Sequence, residues 1–185
     1  RELYLACFTD PDEQEDLEQY CDRLFGPQKP QPQPVTHFLV AGEQLNNPAA
    51  RVLEGMMIFE LYRESSCGLL TYLAVAPHTR GKGLGRKLLQ AAIDILSNEC
   101  EGGLQAIFAE THNPEMIDAD DDTMSPHARI EIMRRLGARQ IPVTYVQPEL
   151  RPGDGRSYKL LLITFPIRPS QPHIVPTDVL LGFLD

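Results

Sequence analysis

LAVAPHTRGKGLGRKLLQAA, residues 73–92, passes from an apolar run through a basic, glycine-punctuated turn into an amphipathic stretch. Leu73, Ala74 and Val75 read as the end of a buried strand, and Leu84, Leu88, Ala91, Ala92 and Ile95 recur at helical spacing. Between them Gly81, Gly83 and Gly85 lie among Arg80, Lys82, Arg86 and Lys87. Strand, glycine turn and helix together make an anion-binding device. The first N–H groups of a helix lack internal partners, and the helix dipole adds partial positive charge there. Glycines let an anion approach the main chain. Basic side chains at a helix start oppose the dipole, so a turn that only began a helix would not call for them.

The spacing decides which anion device this is. A P-loop needs GxxxxGK[ST], which is absent, and a dinucleotide fingerprint counted from Gly81 and Gly83 needs glycine where Arg86 stands. What remains is Arg80-x-x-Gly83-x-Gly85.

Outward from this stretch the pattern is of alternating elements. LYLACF (3–8) reads as a short strand, and the run from Asp10 to Gly26 as a helix capped by Asp10, started by Pro11 and carrying Glu13 in its first turn. PQKPQPQP opens a proline-rich loop at 27–35. THFLVA (36–41), VLEGMMIFELY (52–62) and LLTYLAV (69–75), joined by turn-rich linkers, predict an antiparallel meander. LQAIFA (104–109) reads as a buried strand. SPHARIEIMRRLGA reads as a helix capped by Ser125, begun by Pro126 and stopped by Gly137. IPVTYV (141–146) and YKLLLIT (158–164) are expected to close the sheet, followed by a proline-broken tail over 165–185 with one short helix. One domain over 1–185 is expected, of mixed α+β class.

Arg80-x-x-Gly83-x-Gly85, set in this element order, resembles the acyl-CoA signature Q/R-x-x-G-x-G/A of the GNAT acyltransferase superfamily; the likeness covers most of 36–164. It implies a central, mostly antiparallel mixed sheet flanked by helices, with splayed strands forming an acyl-CoA cleft. It also implies that Arg80, Gly81, Lys82, Gly83, Leu84 and Gly85 wrap a diphosphate with main-chain amides. The edge at Leu73, Ala74 and Val75 would pair with the pantetheine arm as a further strand. The reaction implied is direct transfer of an acetyl group from acetyl-CoA, as co-substrate, to a primary amine of a small molecule or peptide. The family's usual Tyr acid, four positions before the glycine that ends the following helix, is replaced by Met133. That leaves a non-catalytic acyl-CoA-binding module or sensor as the alternative.

An alkylammonium, with a pKa of about 10.4, must lose a proton before it attacks a thioester, so a base is required. Glu110 and His112, in FAETHNP after the strand that would splay from the motif strand, are the candidate catalytic residues; Glu60 is a third. The competing reading is an ordinary surface Glu and loop His. Tyr72 and Tyr145 read as core or cleft-wall aromatics, and Arg129 either faces the cofactor or forms a surface ion pair. An EF-hand loop starting at Asp118 in DADDD (118–122) fails, because Thr123 and Arg129 stand where glycine and glutamate are needed. An acidic loop that attracts a cationic acceptor is the functional version of that run.

A formal net charge of -9 over 185 residues argues against nucleic acid as a partner and is compatible with an amine substrate. Cys7, Cys21, Cys67 and Cys100 are scattered without a CxxC pair, and His37, His78, His127 and His173 form no ligand pattern. Reduced, mostly buried thiols, no metal and a cytoplasmic location are expected. No apolar run has the length of a membrane span, and RELYLACFTD lacks a signal-peptide pattern. Neither the acceptor nor the oligomeric state follows from these residues.

Overall fold

The computed structural model describes residues 2–8, 17–26, 34–116, 124–149, 153, 155–168 and 174–185. In chain order these form α1 (Glu2–Cys7), α2 (Leu17–Phe25), β1 (Val35–Glu43), β2 (Val52–Tyr62) and β3 (Cys67–Val75). After a short helical turn (Pro77–Thr79) come α3 (Leu84–Glu99), β4 (Ala106–His112), α4 (Pro126–Leu136), β5 (Arg139–Gln140), β6 (Leu160–Phe165) and α5 (Thr177–Leu184). The strands form one six-stranded sheet in the order β1-β2-β3-β4-β6-β5. Every neighbouring pair is antiparallel except β3 and β4, which α3 connects as a crossover. This is the mixed α+β architecture expected of the sequence.

Strand alternation assigns the two faces. Met57, Phe59, Leu61 and Leu70, with Ile107 and Ala109 of β4, pack under Leu88, Leu89, Ala92, Ile93 and Leu96 of α3. On the opposite face Met56, Ile58, Tyr72 and Ala74 meet Tyr4 and Cys7 of α1 and Tyr20 of α2. Further along that face, Cys67, Ala106, Phe108 and Leu162 meet Val179, Leu180 and Phe183 of α5. Covered on both sides, β2 is buried continuously from Met56 to Leu61. Gly68 lets α3 lie close to β3: a Cβ there would stand 2.6 Å from Cδ1 of Leu96.

Several expectations are corrected. LYLACF is helical, not a strand. Tyr4 and Cys7 are buried at helical spacing, Tyr4 and Phe8 lie one turn apart with ring centroids at 5.3 Å, and Leu5 is exposed. A short, unbroken apolar run fits either period, and here packing against Tyr72 selects the helix. IPVTYV does not form a strand. β5 holds only Arg139 and Gln140, and Ile141 still donates to the Leu162 carbonyl at 2.9 Å. Pro142 then has no N–H to continue the ladder, and the chain turns away. β6 begins at Leu160, so Tyr158 and Lys159 lie before it. Ser125 precedes α4 as expected but makes no side-chain cap bond. The short helix expected in the tail is present as α5, and its Phe183 stacks on Phe108 at 4.3 Å; Phe165, placed in the tail, instead ends β6. The Asp10, Pro11 and Glu13 helix start, residues 27–33 of the proline-rich loop and the DADDD run lie outside the described residues.

Candidate active site

Two irregularities in the sheet build the cleft. The first is in β2: Ala41 pairs with Gly55 but Gly42 with Leu53, so Glu54 is an extra residue. Its carbonyl accepts from the Ala76 N–H at 2.8 Å and lies 3.3 Å from the buried Thr79 hydroxyl, which fixes the turn leading into the glycine segment. The second is in β3: Ile58 pairs with Tyr72 and Phe59 with Leu70, leaving Thr71 unpaired. A bulge of this kind bends its strand. β3 pairs with β4 only from Cys67↔Ala106 to Leu70↔Ala109. Beyond that point β3 keeps its bonds to β2, and β4 keeps its bonds to β6 as far as His112. The two strands therefore diverge, and the edge of Leu73, Ala74 and Val75 facing β4 is left open.

The glycine turn stands at the mouth of this gap. Gly81 and Gly83 have φ of 77° and 83°, and a Cβ at either would meet nothing within 4 Å. Glycine is thus required by backbone conformation, in open space rather than under packing. Lys87 donates to the Gly83 carbonyl at 3.1 Å, the first bond of α3. The N–H groups of Gly81, Lys82, Gly83, Leu84, Gly85 and Arg86 have no hydrogen-bond partner among the described residues. That array is a ready concave cradle for an anion.

The basic residues divide. Arg80 donates through Nε to the Val75 carbonyl at 3.1 Å, and Arg86 through Nη2 to the Arg135 carbonyl, at the end of α4, at 2.6 Å. Arg86 therefore satisfies an orphan carbonyl of a second helix and complements its dipole. Lys82 and Lys87 are exposed. Arg129 is half-buried in the cleft wall.

Gap and turn open into one cavity of about 2530 Å³, lined by Leu73 to Val75, Arg80, Gly81, Gly83 to Arg86, Glu110 and His112 among others. Drug-sized pockets hold roughly 300–1,000 Å³, so this space exceeds that of a single small-ligand site. Glu110 and His112 lie on the face of β4 that carries Ala106 and Phe108. Tyr145 donates its hydroxyl to Oε1 of Glu110, and Gln147 donates to Oε2 at 2.8 Å. Burial and the neighbouring Glu110 charge push the Tyr145 phenol well above its ordinary pKa, so it stays a proton donor. His112 is buried. Glu60 is buried too, but its Oε1 accepts from Arg23 at 3.1 Å and Thr36 at 3.2 Å, and its Oε2 from Tyr62 at 3.2 Å. Met133 is half-buried against the α3-side core and also lines the cavity, with no proton to give.

Sequence reasoning treated Tyr145 as a wall aromatic and missed its bond to Glu110; it missed Gln147, Arg23 and Tyr62 altogether. Tyr145, Gln147 and Arg23 sit 35 to 37 residues from the carboxylates they serve, and no local pattern marks them; Tyr62 is two residues from Glu60 on the same face of β2, a spacing the sequence did offer. Among the other candidates, His37 Nε2 lies 3.2 Å from Glu99, while His78 and His127 are exposed; His173 is outside the described residues. All four cysteines are free: Cys7 and Cys67 buried, Cys100 half-buried, Cys21 exposed. Burial raises the Cys67 thiol above its usual pKa. Among the described residues no helix is long and apolar enough to cross a membrane, and no group of three His, Cys, Asp or Glu could hold a metal.

Comparison with known proteins agrees with this fold. The sequence matches the model of the acetyltransferase (GNAT) family over residues 1–119. No curated protein matches it. In fold it is similar to a protein from Bacteroides thetaiotaomicron assigned to the GNAT family, at 18% identity and TM-score 0.60, over 89% of this chain and 76% of that one. It is similar also to an aminoglycoside 6'-N-acetyltransferase complexed with coenzyme A, at 16% identity and TM-score 0.58, over 92% and 90% of the two chains. A spermidine N-acetyltransferase chimera from Vibrio cholerae and hSSAT gives 15% identity and TM-score 0.50, over 82% and 75%. At such identities the likeness is one of fold.

Proposed function

The chain belongs to the acetyltransferase (GNAT) family, and from that premise we propose that it moves an acetyl group from acetyl-CoA to a primary amine by direct attack. The observation that carries this reading is the run of unpartnered N–H groups from Gly81 to Arg86 beside a sheet edge that opens after Leu70. A diphosphate needs such donors, and an amide-bearing arm needs such an edge.

In this reading Arg80, Gly81, Lys82, Gly83, Leu84 and Gly85 hold the diphosphate, and Leu73, Ala74 and Val75 align the arm. The bound co-substrate supplies an acetyl thioester. Glu110 is the proposed base, with His112, two residues further on the same face, as the second candidate. Tyr145 and Gln147 fix the position of the Glu110 carboxylate, the group that takes the proton from the ammonium in this reading. The amine nitrogen then bonds to the acetyl carbon as the carbon–sulfur bond breaks, and the second proton of the nitrogen passes to the departing thiolate, which leaves an amide and a free thiol. A thiolate with a moderate pKa, about 8.5 for a simple thiol, leaves without a strong acid, which accommodates Met133. Glu60, engaged by Arg23, Thr36 and Tyr62, is assigned to shaping the cavity wall and not to proton transfer.

The cavity lining carries acidic and basic side chains alike, so the acceptor class, a small amine or a peptide amine, rests on Glu110 as the base and not on the charge of the wall. The similar folds named above for spermidine and an aminoglycoside agree with that class. The test is incubation with acetyl-CoA and a panel of amines while free thiol is followed. Amine-dependent thiol release is expected. Binding of acetyl-CoA with no thiol release for any amine would favour the non-catalytic acyl-CoA module, the reading that Met133 supports.

A further inference from the structure

Two hydroxyls in the cavity walls are orphans. Thr71 Oγ1 on β3 and Thr111 Oγ1 on β4 are each shut off from solvent and meet no hydrogen-bond partner among the described residues. Thr111 is only 3% exposed as a residue, and both residues line the cavity. Folded proteins rarely leave a buried hydroxyl unsatisfied, because it has surrendered its water and gained nothing in return. An orphan in the wall of a binding cavity points to a partner that arrives from outside. The Ser65 hydroxyl, in the same condition, does not line this cavity.

Their placement sharpens the case. Leu70↔Ala109 is the last pair between β3 and β4. Thr71 is the next residue of β3 and the one that β2 leaves unpaired. Thr111 lies two residues past Ala109 on the other strand. One orphan therefore stands on each side of the gap, within a residue or two of the point where it opens. We infer that the Thr71 and Thr111 hydroxyls hydrogen-bond the amide and thioester groups of the acyl-donor arm where it enters the gap. This rests on the reading that the gap takes that arm. A chain of amides presents donors and acceptors by turns, and a threonine hydroxyl can serve as either.

Thr71→Val and Thr111→Val keep the side-chain shape and remove the hydroxyl. Titration calorimetry with coenzyme A, and with 3'-phospho-ADP, which lacks the arm, separates arm contacts from diphosphate contacts. Each variant is expected to weaken coenzyme A binding about tenfold, as the loss of one such bond does, and to leave 3'-phospho-ADP binding unchanged. The melting temperature should hold or rise, since an unsatisfied group has been removed. Thr111→Ser should retain the wild-type affinity; Thr111→Ala carries the same comparison if the valine variant does not fold. Wild-type affinity for coenzyme A in folded valine variants would overturn the inference. So would a fall in melting temperature with both ligands weakened alike, which would make the hydroxyls a strand support. A wild-type protein that binds neither ligand would instead overturn the acyl-donor reading, and this inference with it.

Discussion

Tyr145 and Glu110 are joined by a hydrogen bond that spans 35 residues of sequence and ties the loop after β5 to the strand that diverges from β3. With Gln147 on the second oxygen, the Glu110 carboxylate is fixed in the cavity wall by donors from one loop. The position of the carboxylate is therefore set by a loop remote in sequence.

Replacing Glu110 by Gln removes the proposed base and keeps the shape. Turnover should fall by about 10² to 10⁴, as loss of a general base does, while acetyl-CoA affinity stays near the wild-type value. Steady-state kinetics alongside calorimetry check this. Unchanged turnover in Glu110→Gln with a strong loss in His112→Asn would move the role to His112.

Tyr145 also makes a pH prediction. Its phenol ionises less readily in the folded chain than in the unfolded one, because of burial first and the Glu110 charge second. Below about pH 10 both states are protonated and stability is unaffected. Above that, the unfolded chain loses a proton that the folded chain keeps, so stability falls with slope up to about 1.4 kcal/mol per pH unit. Burial of the Cys67 thiol acts with the same sign from about pH 9. Urea unfolding between pH 8 and 11 should show a shallower decline in Tyr145→Phe than in the wild type. Equal slopes would contradict the burial of a protonated phenol.

Arg86→Ala should cost stability and binding together. The guanidinium holds the Arg135 carbonyl at 2.6 Å, so its loss uncaps α4 and frees the start of α3. For an exposed contact a drop of roughly 2–4 °C in melting temperature is expected, with weaker coenzyme A binding. Loss of affinity without any change in melting temperature would assign Arg86 to the ligand alone.

Phe183→Ala tests the C-terminal helix. Phe183 stacks on Phe108 at 4.3 Å and meets Tyr62 edge-on at 5.4 Å. Losing these contacts should cost about 2 kcal/mol and lower the melting temperature by roughly 4–8 °C. An unchanged melting temperature would show that α5 does not hold this face.

Elements with long periodic signals were legible in the sequence: β1 to β3, α3, α4 and β6 lie close to where pattern places them. The glycine turn was legible because only positive-φ positions demand glycine in open space. LYLACF was misread because six apolar residues carry no period of their own, and the decision rests on Tyr72, far away in sequence. IPVTYV was misread because strand propensity outweighed the missing N–H of Pro142. The cavity partners were hidden for a related reason. Tyr145, Gln147 and Arg23 reach their carboxylates through tertiary contacts, and the orphan state of Thr71 and Thr111 depends on a bulge and a divergence that no local pattern encodes.

Amide NMR during a coenzyme A titration reports most directly on the glycine turn. If its main chain grips a diphosphate, the N–H resonances from Gly81 to Arg86 should shift most, with Gly81 and Gly83 moving downfield. In Gly83→Val, where a β-branched residue is forced to φ near 83°, those shifts should vanish and affinity should fall at least about tenfold. Saturating coenzyme A that leaves the resonances of Gly81 to Arg86 unmoved, in a protein otherwise folded, would contradict the proposed site.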